Sequence, residues 1–234
     1  MTLDSEYRRE DETAHPPHLF EAYRSTALRS PMQPLIRLPQ MEGELSGPVG
    51  GGAGLLGPAM ADLTRQHRGE PLGQRIKVAG RVLDEDGRAV PNTLIEIWQA
   101  NAAGRYIHAR DQWDAPIDPN FTGMGRVVTD EEGRYLFTTI RPGAYPWGNH
   151  HNAWRPAHIH FSLLGPAFAT RLVTQMYFEG DPLIALDPIA QAVPADACER
   201  LVARFDLSLT EPSQALGYAF DIVLRGHAAT PMEA

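Results

Sequence analysis

Cysteine is nearly absent: the chain contains one, Cys198. A single thiol excludes an internal disulfide framework and a multi-thiolate metal site. Such a chain suits a reducing compartment, and any metal it binds must rely mainly on His, Tyr, Asp or Glu. Runs of Lys and Arg are also missing, and the formal net charge is −8. Nucleic acid is therefore not an expected partner. No window approaches the ~18 apolar residues of a membrane span. Residues 1–10 lack the apolar centre of a secretory signal. The expectation is a cytoplasmic protein with no membrane partner.

What is present points to short strands and many turns. The 234 residues are 43% hydrophobic, enough for a core, and include 21 glycines and 20 prolines. Residues 1–20 are polar and read as an arm that stays out of the core. Residues 20–29 can form a short helix, stopped by Ser30-Pro31. Six prolines and the run Gly50-Gly51-Gly52 break the stretch 31–73, which cannot sustain regular structure. Its leucines and isoleucine, Leu35, Ile36, Leu38, Leu55 and Leu56, suit an extension laid across a partner subunit.

Alternation begins near Arg75. Ile76, Val78 and Val82 share a parity, residues 84–87 form a turn, and Thr93, Ile95 and Ile97 alternate again, which predicts an antiparallel pair. The pattern recurs around the turn at 130–133. Further strands are expected at 171–178 and 216–224, with a brief helix at 195–203. Many short strands and little helix predict an all-β sandwich. The expected division is an arm, 1–73, and a β-sandwich catalytic domain, 74–234.

The densest chemistry lies at 145–161. His158 and His160 alternate with Ala157, Ile159 and Phe161, so both imidazoles project from one face of a strand. Residues two apart on one face are roughly 6.5–7 Å apart, close enough for both rings to reach one metal ion. An isolated His-x-His is more often a pair of surface or hydrogen-bonded polar residues than a metal site. The neighbours add weight: Trp147 and Trp154 can exclude water, and Arg155 brings a permanent cation, which would suit an anionic ligand. Arg155 also has an ordinary reading as a surface ion-pair partner. His150 and His151 read as polar loop residues, and Cys198 as a small apolar one.

Two loop tyrosines complete a possible set. Tyr106 follows a Gly104-Arg105 turn, and Tyr145 precedes Pro146-Trp147. Either can instead place its hydroxyl in water or on a carbonyl. A free phenol has a pKa of ~10 and needs a strong Lewis acid to ionise at neutral pH. Two phenolates with two imidazoles suit Fe³⁺, whereas Zn²⁺ prefers Cys, His and carboxylate.

The segments Trp98-Gln-Ala-Asn-Ala-Ala-Gly-Arg-Tyr106, Asp118-Pro-Asn-Phe121, Tyr145-Pro-Trp147, Trp154-Arg-Pro-Ala-His-Ile-His160 and Thr174-Gln-Met-Tyr-Phe-Glu-Gly-Asp181 resemble the intradiol ring-cleavage dioxygenases. The resemblance runs over residues 20–226 and is strongest to the β subunits that pair with a homologous α subunit. It implies a non-haem Fe³⁺ site held by Tyr106, Tyr145, His158 and His160. Tyr145 and Arg155 would take part in catalysis, with Gln175 beside the arginine. Trp147, Ile189 and Tyr23 would contact the substrate. The implied reaction is cleavage of protocatechuate by O₂ to 3-carboxy-cis,cis-muconate, in aromatic catabolism. A catechol or hydroxyquinol 1,2-dioxygenase is the nearest rival, but those relatives carry an N-terminal helical domain that the proline-broken arm does not suit. A non-catalytic, transthyretin-like binding module is the rival of another class. A zinc hydrolase would leave the tyrosines idle.

Overall fold

Alternating apolar residues form strands between residues 75 and 223, and the way these strands cross determines where the site residues meet. The structure is a computed structural model that describes residues 11–36, 60–164 and 172–233. Leu38, Leu55, Leu56 and the glycine run lie outside the described residues, as does Arg171. Eleven strands follow in order: β1 (Arg75–Leu83), β2 (Leu94–Gln99), β3 (Met124–Val128), β4 (Arg134–Ile140), β5 (Tyr145–Pro146), β6 (Trp154–Arg155), β7 (His158–Leu164), β8 (Leu172–Phe178), β9 (Val202–Phe205), β10 (Leu216–Ala219) and β11 (Ile222–Val223). Among the described residues three short α-helices accompany them: α1 (Thr26–Arg29), α2 (Pro188–Ala192) and α3 (Ala195–Cys198).

The strands make the expected sandwich of two layers. In one, β1 runs antiparallel to β4 and parallel to β10, which pairs with β9. In the other, β7 lies between β2 and β8, and β2 also pairs with β3, all antiparallel. A short parallel contact, Tyr177 opposite Val202 and Phe178 opposite Ala203, joins the layers at one edge. The inward faces supply the core. Ile76, Val78 and Val82 of β1 and Phe137 of β4 belong to one buried cluster with Ile95, Ile97, Phe161, Leu163 and Met176 of the opposite layer. Phe161 sits 5.9 Å from Phe137 and 5.4 Å from Phe220, ring centre to ring centre. Burying each such side chain stabilises the fold by ~1.5–3 kcal/mol.

Neither expected hairpin forms a two-stranded pair. Both turns close, with the amide of Gly87 donating to Asp84 O and that of Gly133 to Asp130 O. After the first turn the chain makes a bridge between Leu83 and Ala89. Pro91 then offers no amide, Asn92 takes a left-handed φ of 55°, and the chain crosses to the other layer as β2. The second turn likewise carries β3 of one layer into β4 of the other. Pairing edge to edge would leave two apolar faces side by side. Crossing over sets them face to face, so that each buries the other.

Three smaller expectations also change. The helix foreseen at 20–29 is reduced to α1. The Thr26 hydroxyl is bonded to the carbonyls of Phe20 and Tyr23, which holds the preceding residues in turns. The last strand is divided into β10 and β11, which pair with different parts of β1. The arm does not stay out of the core: Ala14 is buried in a second cluster with Tyr177, Ala190, Val193, Ala197 and Leu201. Nearer the sandwich, Leu63 is fully buried in the main core. Among the described residues no helix is long and apolar enough to cross a membrane.

Phe161→Ala should lower stability by ~3–5 kcal/mol, because the site between Phe137 and Phe220 cannot collapse around a methyl group. Urea unfolding checks this. A midpoint equal to that of the unaltered chain would mean the layers are not held together here.

Candidate metal centre

Strand β7 is buried on both faces. Ile159, Phe161 and Leu163 enter the core, while His158, His160 and Ser162 are buried on the opposite face. Cross-strand pairing sets their neighbours. His160 lies between Trp98 of β2 and Gln175 of β8, and His158 is opposite Tyr177. Cross-strand partners share a face of the sheet. The Trp98 ring accordingly stacks on His160, 4.8 Å away and nearly parallel.

The β5–β6 ribbon brings up two more groups. Tyr145 pairs directly with Arg155, and its hydroxyl stands 3.3 Å from His158 Nε2. His158 Nε2 also lies 3.2 Å from His160 Nε2 and 3.1 Å from Arg155 Nη1. Tyr106 meets Tyr145 edge to face, with ring centres 5.6 Å apart. The turn before it can pack this closely because residue 104 is glycine. Gly104 has a φ of +77°, and a Cβ there would stand 2.2 Å from Ala144 O. Asn101 secures the same turn by accepting from the amides of Ala103 and Arg105. A cavity of ≈1150 Å³ opens alongside, lined among others by Trp98, Tyr106, Tyr145, Ile107 and Met124.

Hydrogen bonds assign the imidazole protons. His158 Nδ1 is 2.7 Å from Pro156 O, which can only accept. His160 Nδ1 is 2.9 Å from a carboxylate oxygen of Glu233. Both Nδ1 atoms therefore carry protons, and the Nε2 of His158, a ring that burial holds neutral, carries a lone pair. That lone pair is the point on which Arg155 Nη1, the Tyr145 hydroxyl and His160 Nε2 converge, and it can accept a proton or a metal ion. Burial holds His158 well below its usual pKa, and the charge of Arg155 and proximity of His160 lower it further. Burial also raises both phenols, Tyr106 with a further contribution from Tyr145, and Tyr145 with partial relief from Arg155. Without a strong Lewis acid the site thus keeps neutral phenols beside neutral imidazole.

Arg155 is not a surface ion-pair partner; it is 3% exposed. Its Nη2 donates to Gln175 Oε1 at 2.6 Å and to Asp187 Oδ2 at 3.0 Å. Burial opposes its charge, but Asp187 and the adjacent phenols outweigh that and keep the guanidinium charged. Asp187 is itself fully buried and also accepts from the Tyr177 hydroxyl at 2.8 Å. Its other oxygen accepts from the amide of Ile189, starting α2. Ile189 is thereby fixed by the same carboxylate that holds Arg155.

The remaining candidates form an outer rank. Trp147 lies under the Arg155 guanidinium at 5.6 Å and against Tyr23 at 5.3 Å. Asn149 ties the arm bearing Tyr23 in place, accepting from the Arg24 amide and donating to Ala22 O. Trp154, expected to exclude water, is instead partly exposed and packs edge-on against Trp113. His150 and His151 are exposed loop residues. Asp187, Tyr177, Trp98 and Glu233 were given no role by sequence reasoning. The Asp187-Pro188 pair does signal a helix start, and Tyr177 shares the parity of Gln175. Nothing in the sequence links Glu233 to a histidine 73 positions earlier.

The residues present fit a metal ion. The Tyr106 hydroxyl, a possible oxygen ligand, is buried with no hydrogen-bond partner. Among the described residues no group of three or more His, Cys, Asp or Glu is arranged to hold a metal. An ion bound here would therefore need the phenols as well as the imidazoles.

A two-layer β protein with buried phenols, imidazoles and an arginine at one rim defines a class, and comparison with known proteins identifies it as that of the dioxygenases. The family described as Dioxygenase matches residues 48–226, and that described as Protocatechuate 3,4-dioxygenase beta subunit N terminal matches residues 7–41. The chain belongs to the intradiol ring-cleavage dioxygenase family. Within it, the chain is 60% identical to the protocatechuate 3,4-dioxygenase beta chain of Burkholderia cepacia, over 95% of each. It is 30% identical to the alpha chain from that organism, over 66% of this chain and 74% of the relative. Among solved structures, 3-chlorocatechol 1,2-dioxygenase from Rhodococcus opacus 1CP matches with a TM-score of 0.54 at 27% identity, covering 69% of this chain and 63% of that one.

Replacing Asp187 by alanine should cost about 3–5 kcal/mol, because it leaves the buried Arg155 cation without its counter-charge. Thermal and urea unfolding measure this. A change below 1 kcal/mol, on the order of a surface substitution, would show that Gln175 and the phenols compensate Arg155 unaided.

Proposed function

We propose that this chain is the iron-bearing, β-type chain of an enzyme that cleaves protocatechuate between its hydroxyl-bearing carbons with O₂, giving 3-carboxy-cis,cis-muconate in aromatic catabolism. The observation that carries this reading is the convergence of Tyr145 Oη, His160 Nε2 and Arg155 Nη1 within 3.3 Å of His158 Nε2. Identity of 60% to a protocatechuate 3,4-dioxygenase beta chain supports the choice of substrate. Tyr106, Tyr145, His158 and His160 would hold a non-haem Fe³⁺ ion. When bound, such an ion supplies the Lewis acidity and redox chemistry that make a catechol reactive towards O₂.

The chain's own groups have separate tasks. Tyr145, which would be a phenolate while the ion is held, would take up a proton from a substrate hydroxyl at Oη and become the neutral phenol that burial favours. Arg155 offers a fixed positive charge, and charge developing on the substrate is stabilised without reorganisation in a water-poor site. Gln175 and Asp187 keep that guanidinium in place. Trp147, Ile189 and Tyr23 form the pocket wall and limit water. The arm, 1–73, is read as the surface that meets a homologous α-type chain, and 74–234 as the catalytic domain. Similarity to both beta and alpha chains supports an assembly of αβ units. The low cysteine content suits the cytoplasm.

A hydroxyquinol dioxygenase is the second reading. The chain is 34% identical to hydroxyquinol 1,2-dioxygenase of Rhizobium sp., but spans about half of that relative, 50% of its length. Matching over 95% of the beta chain favours the first reading.

The purified, iron-loaded protein should be red-brown, from phenolate-to-iron charge transfer. A colourless protein with full iron content would remove the phenols from the site and favour a binding module. Produced with its α-type partner, it should consume O₂ with protocatechuate and yield the carboxymuconate. Faster uptake with hydroxyquinol or catechol would shift the substrate assignment. Arg155→Gln should lower kcat by roughly 10²–10³-fold while iron content stays unchanged; unchanged turnover at equal iron would exclude the charge-stabilising role.

A further inference from the structure

Residues 229–233 have no regular secondary structure, yet they are fastened along their whole length. Thr230 and Val223 exchange two hydrogen bonds, each 2.9 Å. The Thr174 hydroxyl donates to Pro231 O at 2.7 Å, and the Met232 amide to His15 Nδ1 at 3.1 Å. The Glu233 amide donates to Val173 O at 2.8 Å. Ala229 and Thr230 are buried. The segment is thus held by β8, β11 and the arm, and these anchors present one side chain, Glu233, to His160 Nδ1 at 2.9 Å.

The two imidazoles are held differently. His158 donates to a neutral backbone carbonyl, that of Pro156. His160 donates to a carboxylate while Trp98 stacks on its ring. A carboxylate behind a ligating imidazole fixes its tautomer and strengthens it as a donor. Trp98 sets the plane of the ring, and Glu233 its rotation and proton.

We propose that Glu233 is a positioning residue of the metal centre, delivered by the anchored segment 229–233 to make His160 the stronger of its two imidazole donors. This rests on the ferric reading given above. Glu233 touches neither substrate nor ion; it acts through His160. The anchoring to His15 also means that the arm, through Met232, helps hold this segment against the site.

The test compares the unaltered chain, Glu233→Gln and Glu233→Ala, each produced full length with the α-type partner and loaded with iron. Iron release to excess ferric chelator and the position of the visible charge-transfer band are followed, with melting of the iron-free protein as a structural control. Glu233→Ala should release iron roughly 10- to 100-fold faster and shift the band, with unchanged iron-free melting. Glu233→Gln should fall between, since its amide oxygen still accepts the Nδ1 proton but carries no charge. Release and band identical to the unaltered chain in Glu233→Ala would overturn the assignment. Equal loss of iron in both variants, with lower melting of the iron-free protein, would also overturn it, making Glu233 an anchor of the segment only. If the unaltered chain itself takes up no ferric ion, the ferric reading fails and this assignment with it.

Discussion

Two imidazoles whose Nε2 atoms stand 3.2 Å apart form a contact that the protein must enforce from outside. Each ring has its other nitrogen tied down, one to Pro156 O and one to Glu233. The strand bearing them cannot shift to relieve the contact, because its alternate residues fill the core. A slip of one residue along β7 would send both imidazoles inward and bring Phe161 out. The apolar face of that strand is therefore what keeps the polar face in register. The sandwich and the site are two consequences of one alternation.

Placing a permanent cation beside these rings adds a second demand. A buried guanidinium is tolerated only where its hydrogen bonds and charge are met. Asp187 meets the charge, Gln175 takes a further donor, and Tyr177 completes the group around Asp187. Asp187 also starts the helix that carries Ile189. One carboxylate thus ties the charge of Arg155 to the start of that helix. The result is a rim where phenols and imidazole are held neutral by burial, next to a guanidinium that cannot lose its proton. Such an environment favours ligands that bring negative charge with them.

Much of this rim was legible. The alternation around His158 and His160 was visible in the order of residues, as was the placing of Tyr106 after a turn; Tyr145 read as a loop residue and lies in β5. The Gly104 turn was visible too, though not its reason, the approach of Ala144 O. Other parts were not. Both Asp/Glu-Gly turns read as hairpins, since a turn records only that the chain reverses, not which layer it rejoins. Asp187 was given no role, yet one of its oxygens caps a helix and the other holds Arg155. Trp154 read as a wall and points outward. Ala14 read as part of a free arm and lies in a core cluster.

Local order along the chain was sufficient for the strand pattern, the β-sandwich class and the placing of both imidazoles on one face of β7, because side-chain direction in a strand follows from position alone. It could not settle which strands become neighbours or which distant carboxylates meet the histidines and the arginine. Those choices depend on how two sheets bury each other, and long-range contacts such as Glu233 with His160 leave no trace in spacing. Composition and periodicity determined what this protein is made to fold into; packing alone decided which groups hold its site in place.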